Sequence, residues 1–469
     1  MKNNLVCLFI LLVLISGCAS VGPNYIQPPL PKPNYSDVLQ KDGEKSKITQ
    51  TALAAWWDTL DDPILTDLIH TAVTNSLDIR EAQASVRAAR ARLGISRAKL
   101  FPQLDANANY NKSGASDNTV FSIGETELYQ AGFDASWEID IFGGTRRNVE
   151  AARADLQSQE ENLKAVWVSL AGEIAQSYIS LRTIQTQLRV AESNLATQAE
   201  TLEILQASYE SGLIDELAVQ QAHYNLERTR STIPALRGGM ESAMNSLAVL
   251  TGAMPGALHE RLREARPIPV APLKRVTGIP ANALRQRPDV RKMERQLAAQ
   301  TARIGVATAD LYPKFRLIGS IGLESIDADS LFSSDSNTWS FGPGMTWPIF
   351  HAGSIRNNIK AQTAVQEQML ARYEKTLLAA VKEVRDALVD FAEEQNRRQA
   401  LVAAVQAAQG AEEVARDKYK NGLVDFMNVL DTQRSLLSLQ DELARSEGAI
   451  SINLVRLYKA LGGGWTVMK

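Results

Sequence analysis

Polar and apolar residues alternate along two stretches in the first half of the chain. In QLDANANYN (residues 103–111) and LYQAGFDASWEID (residues 128–140), every second residue is apolar or small, and most of those between are polar. A period of two predicts β-strands with one apolar and one polar face. Residues 315–323 and 339–349 follow this pattern less regularly in the second half. The sequence therefore predicts four strands in two hairpins. The hairpins are expected over residues 101–142 and 312–350.

These strands have the length and the aromatic residues that are typical of outer-membrane barrels. A tilted strand needs about 9–11 residues to cross a bilayer, and aromatic residues such as Trp137 and Trp347 lie near strand ends. Hairpins lying on a soluble core would show the same alternation. However, the helices predicted beside these hairpins are too long to cover them, so we expect the apolar face to contact lipid.

Four strands are too few to close a barrel. In lipid, each open edge would leave backbone N–H and C=O groups without partners, at a cost of several kcal/mol each. The chain must therefore share its sheet with copies of itself. Two copies would give eight strands, whose interior is nearly filled by side chains, whereas three copies would give twelve and leave room for water. The polar inner face favours three copies, and the same symmetry would continue the barrel as a tube of helices.

Two long segments lack proline and are rich in Ala, Gln, Glu, Leu and Arg. Residues 146–209 and 355–419 therefore predict continuous helices, each roughly 95 Å long at a rise of 1.5 Å per residue. Val381, Val384 and Leu388 recur at the spacing of a seam between packed helices. Shorter return helices are predicted over residues 216–250 and 426–461.

The two halves of the chain repeat the same order of elements. Asp78 matches Asp289 at an offset of 211, and Gly212 matches Gly422 at an offset of 210, with further matches around each pair. This register indicates a duplicated unit, although two copies are too few for a solenoid. The predicted divisions are a signal peptide (1–17), a lipid-anchored extended segment (18–55), a first repeat (56–254), a Pro-rich linker (255–288), a second repeat (289–462) and a C-terminal tail (463–469).

The N-terminus has the charged, apolar and small-residue order of a bacterial export signal. Lys2 precedes an apolar run over residues 5–15, which is shorter than the about 20 residues of a membrane-spanning helix. The sequence ISGC, ending at Cys18, resembles the lipobox of bacterial lipoproteins, in which this cysteine becomes the acylated first residue. Ala19 then implies sorting to the outer membrane. The alternative is a plain secretory signal with a cysteine near its end.

Cysteine content and charge exclude several kinds of site and partner. Cys7 and Cys18 are the chain's two cysteines, and Cys7 would leave with the signal, so no thiol would remain for a disulfide, a zinc site or a nucleophile. Without Lys2, the chain carries 49 basic and 53 acidic residues, and no block of Lys and Arg stands out. Nucleic acid is therefore not an expected partner.

No catalytic or cofactor motif emerges from the sequence. His70, His223, His259 and His351 are scattered without metal-ligand spacing. There is no Ser nucleophile in a G-x-S-x-G setting and no Gly-rich phosphate loop after a strand. We therefore expect no catalytic activity, no metal and no cofactor.

The chain contains the motifs CASVGPNYIQPP, AWWDTLDDPILTDLI, RQRPDVRKMER, LDTQRSLLSLQDEL and LYKALGGGW. The resemblance that these motifs show to the TolC/OprM-like outer-membrane factors, and particularly to the OprM/NodT-type lipoprotein branch, covers nearly all of the chain after the signal. It implies a mainly α chain with membrane β-structure. Three protomers would form a 12-stranded β-barrel, continued by a long periplasmic α-helical barrel with an equatorial mixed belt. The implied function is the exit duct of a tripartite efflux pump or a type I secretion system.

The resemblance assigns a role to two Gly-centred turns. YESGLIDELAVQQ and YKNGLVDFMNVLD would turn the long helices back at their periplasmic end, where Gly tolerates a positive φ. The two turns would dock a periplasmic adaptor protein, which connects the duct to an inner-membrane pump. The docking residues are Gly212, Leu213, Gly422 and Leu423. The alternative is that both Gly residues only cap helices.

The resemblance also places three residues at the periplasmic aperture. Asp431 matches an aspartate that lines the closed aperture in the family, where three symmetry copies would attract cations. Asn428 and Tyr419 are the other two, although TolC has a second aspartate in place of Asn428. The alternative for Asp431 is a solvated residue on a helix face. Ala218 and Val424 stand where TolC has the charged partners of its latch, so that latch does not carry over.

Two further functions compete with a passive duct for solutes. An envelope-spanning structural lipoprotein would use the helices as a spacer without a pore, but the polar inner faces of the strands argue against it. A lipid-anchored enzyme would need a catalytic constellation, which the sequence lacks. We therefore expect a homotrimer in the bacterial outer membrane that extends into the periplasm and is held to the lipid by acylated Cys18.

Overall fold

A computed structural model describes residues 20–29, 46–47, 53–114, 116, 118, 124–270, 276–278 and 283–464. The protein is mainly helical with a small amount of sheet, as predicted. The helices are α1 (Pro63–Asn75), α2 (Leu77–Ala98), α3 (Gly144–Glu210), α4 (Glu216–Leu250), α5 (His259–Leu262), α6 (Ala283–Gln286), α7 (Pro288–Ala309), α8 (Ser354–Lys420) and α9 (Phe426–Ala460). The strands are β1 (Ser46–Lys47), β2 (Gln103–Gly114), β3 (Glu125–Ile139), β4 (Val276–Gly278), β5 (Lys314–Ser325) and β6 (Asn337–Thr346).

The chain folds into two compact units. The first unit contains the described residues within Met1–Leu30, Ala84–Glu161 and Arg291–Lys375. The second contains the described residues within Pro31–Gln83, Asn162–Val290 and Thr376–Lys469.

The first unit contains a four-stranded antiparallel sheet in the order β2-β3-β5-β6. The two predicted hairpins are present, and they join because β3 pairs with β5, with Phe133 opposite Ile321. Among the described strands, β2 and β6 have a neighbour on one side only. The sheet therefore has two open edges.

The register of the strands confirms the predicted separation of their faces. Ala106 lies opposite Phe133, and Ile321 lies opposite Trp339, so apolar side chains continue across all four strands on one face. This face is largely exposed, with Trp339 at 78%. On the other face, Arg316 pairs with Glu138 at 3.3 Å between Nε and Oε2. One face is thus apolar and open, and the other is polar.

The last strand ends earlier than the sequence predicted. β6 ends at Thr346, so Trp347 and Ile349 follow the strand instead of belonging to it. Pro348 lies between them and has no N–H to continue a strand ladder. The Trp347 indole instead donates to the carbonyl oxygen of Leu311, with 3.1 Å between Nε1 and O.

A buried arginine helps to hold the described N-terminal segment in the first unit. The side chain of Arg147 is 5% exposed, and its guanidinium donates to the carbonyl oxygens of Val21 and Gly22 at 3.0 and 3.2 Å. It also donates to Asn24 Oδ1 at 2.8 Å. Gly22 lies so close to Gly305 that a Cβ at position 22 would clash with the Gly305 backbone. The segment is therefore an ordered part of the first unit.

The long helices α3 and α8 each span 67 residues and extend slightly beyond the predicted bounds. The first turn of α3 is capped by Asp140, whose carboxylate accepts from the backbone N–H groups of Thr145 and Arg146 at 3.0 and 2.8 Å. No helix in the part of the chain that the structure describes has both the length and the apolar content required to cross a membrane.

Several aromatic residues lie in the core of the second unit. Trp56 stacks on Tyr458 with 5.6 Å between ring centroids, and both Trp56 and Trp167 are buried. Arg182 is also buried and donates to the Tyr178 hydroxyl at 2.9 Å and to the carbonyl oxygen of Glu264 at 2.7 Å. The Pro-rich stretch is therefore tied into this core at Glu264.

Candidate functional site

The two Gly-centred turns have the same hydrogen-bonded geometry. Gly212 and Gly422 have φ values of 70° and 69°. At the second turn, the Gly422 N–H donates to the carbonyl oxygen of Tyr419, and the Leu423 N–H donates to that of Lys418, both at 2.9 Å. The first turn has the equivalent bonds, also at 2.9 Å. This is a glycine C-cap, in which a residue with positive φ ends the helix and satisfies its last carbonyl groups.

Each turn presents a leucine to solvent. Leu213 is 77% exposed and Leu423 is 71% exposed. An added Cβ at Gly212 or Gly422 would meet no neighbouring atom within 4 Å, so glycine is required by the backbone conformation and not by crowding. Each turn thus combines a defined backbone conformation with a solvent-exposed apolar side chain.

Behind the turns, the four helices that carry them share one apolar cluster. Its buried members are Leu202, Leu205, Ala222, Leu226, Ala415, Phe426, Val429 and Leu430. Ala218 packs against this cluster, which fits its lack of a charged latch side chain. The two turns therefore lie at the same packed end of the second unit.

Tyr419 belongs to this cluster and is not paired with the other expected aperture residues. Its ring packs against Phe426 with 5.2 Å between centroids. Burial raises the pKa of Tyr419 above its usual range. All three residues are described, and no hydrogen bond joins Tyr419 to Asp431 or Asn428 in the described structure.

Asp431 and Asn428 are exposed on the first turns of α9. The Asn428 side chain donates to the carbonyl oxygen of Asp425 at 3.2 Å and so supports the start of the helix. Asp431 faces Arg434 three residues later, with 3.5 Å between Oδ1 and Nη1. Asp431 is thus a solvent-facing carboxylate with one cation beside it.

Neither Arg434 nor its partner Asn225 was predicted from the sequence as a functional residue. Arg434 donates to Asn225 Oδ1 with 3.2 Å between Nη2 and the oxygen, which joins α9 to α4. Asn225 is 4% exposed, and its Nδ2 has no hydrogen-bond partner in the described structure. The spacing of Asp431 and Arg434 could have suggested an ion pair, but no sequence signal connects either residue to Asn225.

Two further expectations concern the anchor and metal binding. Cys18 and the signal peptide lie outside the described residues, which begin at Ser20. Among the described residues, no group of three or more His, Cys, Asp or Glu side chains is arranged to hold a metal ion.

An open-edged sheet with one apolar and one polar face, together with long helices that end in Gly-capped turns, is typical of an outer-membrane channel subunit. The chain matches the family described as outer membrane efflux protein over residues 68–253 and 279–463. The chain belongs to this family, whose members are channels and not enzymes. Its location is accordingly the bacterial outer membrane, with extension into the periplasm.

Named relatives are similar in sequence to this chain over nearly its whole length. The probable outer membrane lipoprotein SilC of Salmonella typhimurium is 32% identical over 456 residues, which cover 96% of this chain and 97% of the relative. The toluene efflux pump outer membrane protein TtgI of Pseudomonas putida is 32% identical over 462 residues, covering 97% of each. The solved structure of the outer-membrane channel OprN superimposes with a TM-score of 0.89 at 33% identity, over 95% of this chain and 100% of that one.

Proposed function

We propose that three copies of this chain form the exit duct through which an inner-membrane pump expels solutes across the outer membrane. The observation that carries this proposal is the pair of open edges on the β2-β3-β5-β6 sheet, whose apolar face is exposed. Backbone groups at such edges must be paired before the sheet can lie in lipid. Pairing β2 of one copy with β6 of the next satisfies both edges.

The number of copies follows from the polar face. Three copies of a four-stranded sheet give a closed wall of twelve strands. Its interior would carry polar groups such as Glu138, Arg316 and Ser320, which favour a water-filled path. Two copies would give a narrower barrel that these side chains would nearly fill.

The duct itself performs no chemistry and selects weakly among solutes. The relatives are named for different cargoes, since TtgI belongs to a toluene efflux pump and CusC of Escherichia coli to a cation efflux system. A wide aqueous path accommodates both classes, so the choice of cargo belongs to the pump. We infer that this chain carries small solutes delivered by a pump and a periplasmic adaptor.

The aperture proposal centres on Asp431. Three copies around one axis would bring three Asp431 carboxylates together, attract cations and narrow the opening. Arg434 supports this role because it contacts Asp431 and also bonds to Asn225 on α4. Arg434 would thus hold the start of α9 in the closed arrangement, while Asn428 and Tyr419 stabilise the same end of the helix.

The tips are the proposed docking surfaces for the adaptor. Gly212 and Gly422 fix the turns, and Leu213 and Leu423 offer exposed apolar contacts. The anchor proposal is that acylated Cys18 holds the chain to lipid, and it rests on the lipobox-like sequence ISGC that ends at this residue. Labelling cells with radioactive palmitate, with Cys18→Ala as the control, tests this anchor.

Single-channel recording in a planar bilayer tests the duct. The purified full-length protein is expected to form stable, long-lived conducting pores. An envelope-spanning spacer would insert without conducting, and that result would reject the duct. The apolar outer and polar inner faces of the sheet favour the conducting outcome.

A further inference from the structure

The two tips differ in charge, although their turns share one geometry. The first tip is defined as residues 207–217 and the second tip as residues 417–427, which correspond at the repeat offset of 210. The first tip contains three carboxylates and no Lys or Arg. The second tip contains two carboxylates and two ammonium groups. The residues concerned are Glu210, Asp215 and Glu216 in the first tip, and Asp417, Lys418, Lys420 and Asp425 in the second.

The lack of basic residues extends from the first tip along both of the helices that carry it. No Lys or Arg occurs between Arg189 and Arg228, a stretch that includes the end of α3 and the start of α4. Glu210 and Glu216 are exposed, and no ion pair involves either of them in the described structure. Their charges are therefore available to a partner.

The tips also differ in how much apolar surface they expose. Phe426 stands at the position that corresponds to Glu216, and it is buried against Tyr419 in the shared cluster. In the first tip, the corresponding tyrosine, Tyr209, and also Leu217 are exposed, at 44% and 61%. The first tip therefore offers a broader apolar surface beside its carboxylates.

We propose that the first tip is the docking site for a partner loop that carries Lys or Arg beside an apolar residue, and that the second tip docks without a requirement for partner cations. This inference rests on the proposed function, in which a periplasmic adaptor binds the tips. Complementary charge at the rim of an apolar contact steers the partner and fixes its register. The carboxylates around Leu213 supply that charge, whereas the mixed charges around Leu423 nearly cancel.

Two synthetic helical hairpins serve as probes of this site. Both have a leucine at the turn, flanked by lysines in the basic hairpin and by glutamates in the acidic hairpin. Binding to the full-length protein in detergent is measured at low and at high salt. The basic hairpin is expected to bind more tightly, and its advantage should shrink as salt screens the exposed charges.

Matched variants of the two tips show which tip recognises the basic hairpin. Glu210→Gln/Glu216→Gln removes two carboxylates from the first tip and is expected to weaken binding of the basic hairpin about fivefold, given up to about 1 kcal/mol for exposed charge pairs. Asp417→Asn/Lys420→Gln removes one charge of each sign from the second tip, so the net charge of that tip does not change and the preference should not change either. All four side chains are exposed.

The docking proposal would be overturned by no binding of either hairpin, by equal binding of both, or by a preference that survives Glu210→Gln/Glu216→Gln. An equal loss of preference in the second-tip control would also overturn it, because the effect would not belong to the first tip. Bilayer conductance of the same preparation separates this failure from that of the duct. Conducting pores without a charge preference reject the docking site alone, whereas a preparation without pores rejects the duct.

Discussion

Arg434 on α9 donates a hydrogen bond to Asn225 on α4, with 3.2 Å between Nη2 and Oδ1. The same guanidinium contacts Asp431 through its other terminal nitrogen at 3.5 Å. One side chain therefore connects the expected aperture residue to a neighbouring helix. In the proposed aperture, this contact would restrain the start of α9 without the charged latch partners of TolC, in whose places Ala218 and Val424 stand.

Removing Arg434 is expected to loosen the start of α9. Arg434→Ala should raise resting conductance about tenfold if the hydrogen bond contributes about 1.4 kcal/mol to the closed arrangement. Asn225→Ala should have a similar effect. The resting conductance of the double variant should exceed that of either single variant only slightly, because both substitutions remove the same hydrogen bond. Additive effects in single-channel recordings would show that the two residues act separately.

Replacing Asp431 tests the aperture more directly. Asp431→Ala removes a carboxylate from each copy and one contact of Arg434, so resting conductance and sensitivity to bulky antibiotics should rise, by up to about fivefold. Asp417→Ala removes an exposed carboxylate from α8 and provides the control. Unchanged conductance and sensitivity in Asp431→Ala would remove this residue from the aperture.

The second turn should depend on the backbone freedom of Gly422. Gly422→Ala forces a β-carbon onto a residue with φ of 69°, at a cost of about 1–2 kcal/mol. Hydrogen exchange at the Leu423 amide, which donates to Lys418, should accelerate about tenfold. Gly410→Ala adds the same group within α8, where it meets no atom within 4 Å, and should leave that exchange rate unchanged. Equal rates in both variants would contradict a role for the positive φ.

Arg147 should control the order of the N-terminal segment. Arg147→Ala removes buried hydrogen bonds to Val21, Gly22 and Asn24, each worth about 1.5–3 kcal/mol because the donor is charged. Chymotrypsin should then cleave after Tyr25 much faster than in the unaltered protein. Arg153→Ala changes an exposed arginine of the same helix and should not alter the cleavage rate. Resistance to cleavage in Arg147→Ala would show that other contacts hold the segment.

The strands and the long helices could be predicted from the sequence, because alternation and helix-forming composition are properties of neighbouring residues. Alternation separated the faces of the strands, and the structure places Ala106 opposite Phe133 as that separation requires. Helix-forming composition without proline located α3 and α8 to within two residues at each end. The strand prediction failed at Trp347 and Ile349, where alternation continued past Thr346 but Pro348 interrupted the backbone pairing.

The contacts around single arginines could not be predicted in this way. Arg147 bonds to Val21 across 126 positions and Arg434 to Asn225 across 209, and neither pair belongs to a periodic pattern. Each depends on which helices become neighbours, which is a property of the folded chain. The charge difference between the tips was present in the sequence, but it became informative when both turns proved to share one backbone geometry.

Counting the protomers of the purified protein tests the central claim most directly. In the proposed duct, one chain has too few strands to enclose a path through lipid and must pool its sheet with two others. Native mass spectrometry of the detergent-solubilised protein, supported by chemical crosslinking, should give a complex of three copies. A mature chain that stays monomeric and soluble without detergent would contradict the account.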